Sequence, residues 1–146
     1  LLKSSKQADI ESLREIVERR GMVYLQEFIN VTSGSARDIR AFVVDGRLQG
    51  AIYRNAPPGE WISNLARGGR PTPCPKTREL EDLAVRSARA VGAIYCGVDL
   101  LESKDGLTTI EVNGTPSGKG IYDALGIDVT EAIAEHVCSN LDHRKG

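Results

Sequence analysis

Asp99, Glu111 and Asn113 are the residues whose types and spacing lend themselves most directly to chemistry. Asp99 lies in Gly97-Val98-Asp99-Leu100-Leu101, and after a short turn the other two follow in Ile110-Glu111-Val112-Asn113. Strand side chains alternate between faces, so Val98, Leu100, Ile110 and Val112 are expected to share the buried one. Pairing Val98 with Val112 and Leu100 with Ile110 does this. It sets Asp99 opposite Glu111, keeps Asn113 on the same face, and leaves Lys104-Asp105-Gly106 as a three-residue loop in which Gly106 supplies the left-handed residue. Two carboxylates and an amide oxygen are hard donors that suit Mg²⁺, an ion that retains waters and shares its remaining positions with phosphate oxygens. The spacing therefore points to a Mg-nucleotide platform. The solvated outer face of an ordinary hairpin would carry similar residues, since charge on an exposed strand is normal.

The elements that must position this hairpin follow from periodicity. Ile10, Leu13, Ile16 and Val17 form one helical stripe between Gln7 and Arg20, stopped at Gly21. Met22 to Ile29 is mostly apolar and is expected to be a strand, broken by Val31-Thr32-Ser33-Gly34-Ser35. Ile39 to Val44 and Arg47 to Tyr53 read as strands joined by Asp45-Gly46, a strong hairpin signal. Between Asn55 and Pro75 lie five prolines, three glycines and the single Trp without periodicity, which predicts a long loop of the kind that usually carries function or stays disordered. Leu80, Leu83, Ala84, Ser87, Ala88 and Val91 keep helical spacing behind a Thr77 cap. After the hairpin, a Gly-rich loop from Gly114 to Gly120 precedes a helix opened by Asp128 and Glu131 in capping-box spacing, with Ile133 and Val137 on its buried stripe. This order predicts an α+β fold with an antiparallel sheet and helices packed on one side.

Composition narrows the function classes. The 146 residues suit one domain with a real core. With 19 basic against 20 acidic residues, no global field favours nucleic acid or a membrane surface. Cys74, Cys96 and Cys138 are odd in number and widely spaced, which suggests a reducing, cytoplasmic setting rather than a disulfide framework or a thiolate metal site. His136 and His143 both fall in the last eleven residues, which leaves a Ser-His-Asp or Cys-His arrangement poorly supported. No apolar run approaches the roughly 20 residues of a membrane span. Gly118-Lys119 is followed by Gly120 where a phosphate-binding Walker loop needs Ser or Thr, so that reading is discarded.

Gln26-Glu27-Phe28-Ile29, Asp38-Ile39-Arg40, Asp45-Gly46-Arg47, Ile62-Ser63-Asn64-Leu65-Ala66-Arg67-Gly68-Gly69, Gly97-Val98-Asp99-Leu100 and Glu111-Val112-Asn113 occur in an order that resembles the ATP-grasp ligases of the RimK type across nearly the whole chain. Gly59 to Gly69 and Cys74-Pro75 look closest to the LysX branch, whereas Gly114-Thr115-Pro116-Ser117 is more similar to general RimK-type or tetrahydromethanopterin ligases. The resemblance implies ATP-dependent ligation, in which a carboxylate is phosphorylated and an amine attacks the acyl phosphate. It places Glu27 and Phe28 at adenine and Asp38 at the ribose, with Ser63 and Asn64 also at the nucleotide. Arg40, Arg54 and Arg67 become the cations for phosphate, acyl phosphate or substrate carboxylate, a role that suits the guanidinium fork. Asn64, Arg67, Gly68, Gly69 and Lys119 become substrate contacts. Asp99, Glu111 and Asn113 hold Mg²⁺ or Mn²⁺, with Glu111 bridging if two ions bind. No general base is evident.

The implied partners are ATP, an amino acid such as glutamate, and a carboxylate acceptor on a small carrier protein or a cofactor, whose acidic tail Arg67 and Arg70 could meet. By the same resemblance the chain is the C-terminal portion of an ATP-grasp domain, lacking an upstream substrate domain and the glycine-rich loop. Its cut face could self-associate, and alone it is expected to bind Mg-ATP weakly and to turn over slowly or not at all. The alternative is a nucleotide-binding or subunit-interaction module without chemistry.

Overall fold

A computed structural model describes residues 8–32, 34, 36–60, 62–63 and 68–142 of the chain, which divides into two compact units, Leu1–Asn30 and Val31–Gly146. The first unit contains α1 (Ala8–Arg20), whose stripe ends where the Gly21 amide donates to the Val17 carbonyl at 2.8 Å. The strand expected from Met22 to Ile29 does not form: residues 22–30 are irregular, and Met22, Tyr24 and Leu25 are largely exposed. A strand is defined by ladder bonds to a neighbour, and α1, the one regular element among the described residues of this unit, offers none.

The second unit is built on a five-stranded antiparallel sheet in the order β3-β2-β1-β4-β5, with β1 at Arg37–Val44, β2 at Arg47–Asn55, β3 at Arg70–Pro73, β4 at Tyr95–Ser103 and β5 at Gly106–Asn113. The β1–β2 turn is the expected one, with Asp45 at φ 50° and Gly46 at φ 68°, matching the right-handed twist of the flanking strands. Strand β3 lies inside the stretch expected to be one long loop. Pro71 and Pro73 masked it, but a proline is tolerated on an edge strand, where one side of the backbone has no ladder partner.

The helices occupy both faces of the sheet rather than one. α2 (Arg78–Ala90) starts at the expected cap, where the Thr77 hydroxyl accepts from the Leu80 amide at 3.2 Å. It buries Leu80, Ala84 and Ala88 against Ile39, Ala41, Val43, Ala51, Cys96, Val98 and Leu100. Val91 is its C-cap and is exposed. On the opposite face Phe42 and Ile52 pack with Ile121 and Val129, from α3 (Lys119–Leu125) and α4 (Val129–Asp142). The first residues of α3 coincide with the end of the expected Gly-rich loop, whose glycines give no helical signal. In α4, Val129 is buried, Ile133 half-buried and Val137 exposed, so the expected stripe is covered at Ile133 and not at Val137. Asp128 caps it by accepting from the Thr130 amide at 2.9 Å and the Thr130 hydroxyl at 2.6 Å.

Candidate functional site

The β4–β5 hairpin keeps the predicted pairs Val98 with Val112 and Asp99 with Glu111, and Asn113 falls opposite Gly97. Beyond Asp99 the register shifts: Leu100 faces Thr109, not Ile110, and Ser103 pairs with Gly106 around a two-residue turn, Lys104-Asp105. The bulge reconciles two apolar residues of opposite parity. With Ile110 as the extra residue, Leu107 and Val112 both pack against the α2 side, and the Thr109 hydroxyl meets that of Ser87 at 2.9 Å. Because the slip comes after Asp99, it leaves the three oxygen donors on one face.

On that same face the strands bring four charged residues into one network. Asp38 on β1 is the cross-strand partner of Arg54 on β2, and Arg40 on β1 is the partner of Asp99 on β4. Arg54 grips Asp38 with two parallel bonds of 2.6 Å, Nε to Oδ1 and Nη2 to Oδ2. It reaches on to Asp99 Oδ2 at 2.8 Å. Arg40 also holds Asp99 in a fork, its Nε on Oδ1 and its Nη2 on Oδ2 at 2.7 Å. Asp38, Arg54 and Asp99 are 8%, 8% and 3% exposed, so this is a largely dry pair of charge pairs. Burial works against the Arg54 charge, but Asp38 and Asp99 outweigh it and raise its pKa above the ordinary value. Arg40 and Arg54 thus converge, which the sequence suggested without fixing.

Asp99, Glu111 and Asn113 supply the oxygen donor types that a hard divalent cation takes. Glu111 is exposed and has no ion pair among the described residues, while the Asn113 Oδ1 accepts the Thr115 amide at 2.8 Å. Asp99 accepts three guanidinium bonds, which use three of the about four acceptor positions an ionised carboxylate offers. The other candidates are placed as follows. Asp38 has both oxygens engaged by Arg54. The Lys119 ammonium lies 2.5 Å from Asp123 Oδ2, a pair one helical turn apart on α3. Ser63 is buried, and Gly68 has φ 87°. Glu27 and Phe28 belong to the first unit, where Glu27 is exposed and Phe28 is 42% exposed. Asn64 and Arg67 lie outside the described residues.

A second polar cluster, unassigned by sequence, sits on the α2 face at the same end of the strands. Arg37 forks onto Glu102 Oε2 at 3.1 and 2.7 Å and stacks over the Tyr53 ring, 3.8 Å from its centroid. Burial, with Cys74 and Glu102 alongside, pushes the Tyr53 hydroxyl up to about 12. Only the strand register reveals this cluster, because its members are about 16 to 65 residues apart in sequence.

Residues 3–137 match the family of RimK-like ATP-grasp domains. The chain belongs to that family. It is 43% identical over 144 residues to the tetrahydromethanopterin:alpha-L-glutamate ligase of Methanosarcina acetivorans, covering 87% of this chain and 44% of that protein. It is 40% identical over 134 residues to a probable alpha-L-glutamate ligase of Stenotrophomonas maltophilia, covering 92% and 44%. This RimK-like domain therefore spans less than half the length of the relatives it matches. Among solved structures it is similar in fold to the ATP-grasp ligase PsnB complexed with a minimal precursor, Mg and ADP, with TM-score 0.67 and 20% identity, covering 94% of this chain and 41% of that one. It also resembles the D-alanine–D-alanine ligase of Bacillus anthracis complexed with ATP, with TM-score 0.61 and 17% identity, covering 96% and 48%. As expected, the RimK-like domain is an antiparallel sheet with helices in an ATP-grasp arrangement. Among its described residues no helix is long and apolar enough to cross a membrane.

Proposed function

We propose that this chain is the C-terminal portion of the ATP-binding domain of an ATP-dependent carboxylate-amine ligase that adds glutamate, or a similar amino acid, to a carboxylate. The observation that carries the reading is the juxtaposition on one sheet face of two converged guanidinium groups and three hard oxygen donors, in a chain of the RimK-like family.

In this reading a carboxylate oxygen bonds to the γ-phosphorus of ATP and ADP leaves. The amine then bonds to the acyl carbon, phosphate leaves, and the amine proton goes to solvent or base. Asp99, Glu111 and Asn113 would hold Mg²⁺, with Glu111 shared if there are two ions, and the metal would neutralise phosphate charge. Arg40 and Arg54 supply fixed positive charge where the transferring phosphoryl group becomes more anionic. Fixed charge in a dry site stabilises that change without reorganisation. Asp38 and Asp99 keep both guanidinium groups oriented. The family resemblance alone assigns Asp38, Ser63 and Asn64 to the nucleotide, and Asn64, Arg67, Gly68, Gly69 and Lys119 to substrate. The names of its relatives favour L-glutamate as amine and a pterin-type carboxylate as acceptor over a carrier-protein tail.

The test is ADP release by the full-length protein with L-glutamate, Mg²⁺ and a panel of carboxylate acceptors. ADP and phosphate formed in step with an amide product support the reading. Absence of ADP with every acceptor, from folded protein, overturns it.

A further inference from the structure

The Arg40 side chain runs through the space that a side chain at Gly97 of β4 would fill. An ideal Cβ built on Gly97 would stand 2.7 Å from Arg40 Cδ and 3.2 Å from its Nε, well inside van der Waals contact. On its other side that Cβ would meet Pro116 Cβ at 3.0 Å, so there is no room to tilt away. Pro116 is itself fixed, its carbonyl accepting the Tyr95 hydroxyl at 2.8 Å. Gly97 is thus the floor of a slot and Pro116 its wall. The slot confines the stem of Arg40, and the fork onto Asp99 closes its far end. Gly97 is not explained by backbone need, for it sits in regular β4 pairing with no left-handed φ.

We infer that Gly97 is the positioning residue for Arg40: its missing side chain, with Pro116 opposite, sets where the Arg40 charge stands in the site. This rests on the ligase reading only for the consequence of misplacing that charge. Catalysis of this kind depends on geometry, and a displacement of about 1 Å can cost about 100-fold in rate.

The experiment combines spectroscopy and kinetics on the full-length protein. The Arg40 Nε–H, bonded to Asp99, should give an arginine Nε resonance protected from solvent exchange and assigned by its absence in R40K. In G97A that resonance is expected to lose its protection, with kcat falling about 100-fold while the KM for ATP changes little. In the R40A background, G97A should add nothing further. An unchanged resonance in G97A, or an equal additional loss on top of R40A, overturns the inference. If G97A does not fold, the R40A/G97A pair decides: recovery of folding shows that the conflict was with Arg40, and no recovery shows that Gly97 serves packing instead. Because the resonance needs no turnover, its loss in G97A of a protein that ligates nothing would sink the ligase reading and leave the positioning role standing.

Discussion

One face of the sheet has two ends built by the same strands in opposite ways. At one end Phe42 and Ile52 are sealed by Ile121 and Val129, with Tyr95, Leu125 and Ile127 packed beside them. Toward the other end, beginning at Arg40, the cross-strand partner of Ile52, the same alternation delivers Asp38, Arg40, Arg54 and Asp99. Two glycines allow a close approach, Gly50 beneath Ile121 and Gly97 beneath Arg40, and both are cross-strand partners of Phe42. What differs is the partner. The covered end is held by burial of hydrocarbon, which is non-directional, and the charged end by forked hydrogen bonds that fix orientation. Burying ion pairs is weak evidence of stabilisation, because desolvation offsets much of the attraction. The charged end is therefore better understood as a device for holding cations in place than as a source of stability.

The largest test breaks the charge balance. Arg54→Ala leaves Asp38 buried without its partner and should destabilise by about 3–5 kcal/mol, measured by denaturant unfolding. Arg54→Met with Asp38→Asn, which removes both charges and keeps volume, should recover most of that loss. If the double variant is as unstable as the single, the network is holding the fold together in a way that charge balance does not explain.

A smaller effect is expected at the covered end. Gly50→Ala would set a Cβ 2.7 Å from Ile121 Cδ1 and 3.1 Å from Ile127 Cδ1, which must shift. Overpacking of this kind costs about 1–3 kcal/mol, seen as a lower unfolding midpoint. Unlike G97A, it should leave nucleotide-dependent rates close to those of the parent once the protein is folded. A rate loss as large as that of G97A would show that the two ends are not independent.

These two ends were not equally legible in the sequence. The hairpin donors could be found because Val98 and Val112 flank them with clear alternation, and the Asp45-Gly46 turn aligned β1 with β2. The bulge after Asp99 could not be found, because it is the α2 surface, through Leu107 and Ser87, that selects which parity of β5 faces inward. Strand β3 was hidden by Pro71 and Pro73, and α3 by glycines in its approach, since both elements are stabilised by the neighbours they meet more than by local propensity. The Met22 to Ile29 segment departs in the reverse sense: its apolar composition suits a strand, but among the described residues no strand pairs with it. The convergence of Arg40 and Arg54 on Asp99 depends on strand order, which alternation along a single strand does not encode.

The cluster on the α2 face extends the comparison to alkaline pH. Folded Tyr53 holds its proton up to about 12 against an ordinary 10.0, chiefly through burial, so the native state retains a proton that the unfolded chain releases first. Its contribution is complete below about pH 10 and is lost as pH rises through about 12. Tyr53→Phe should move the alkaline unfolding midpoint upward. No shift would place the alkaline limit in another group, such as the Cys74 thiol, which burial also raises.

The smallest effect belongs to the helix that closes the covered end. Asp128 has its pKa lowered, first by the Thr130 hydroxyl and then by the Thr130 amide, both of which bond to its ionised form. A depressed carboxylate contributes stability that is present above its unfolded pKa and disappears as pH falls through the folded one. Thr130→Ala removes the stronger cause while leaving the backbone cap. The loss on acidification should then be smaller and complete at a higher pH than in the parent, read as the acid limb of thermal stability followed by helical circular dichroism. Because Val129, the next residue, is the anchor of α4 in the apolar core, that shift should appear together with loosening at Phe42 and Ile52 while the Arg40–Asp99 fork persists. If the fork is lost over the same pH range, the covered and charged ends unfold as one unit, and their difference is one of chemistry rather than of cooperativity.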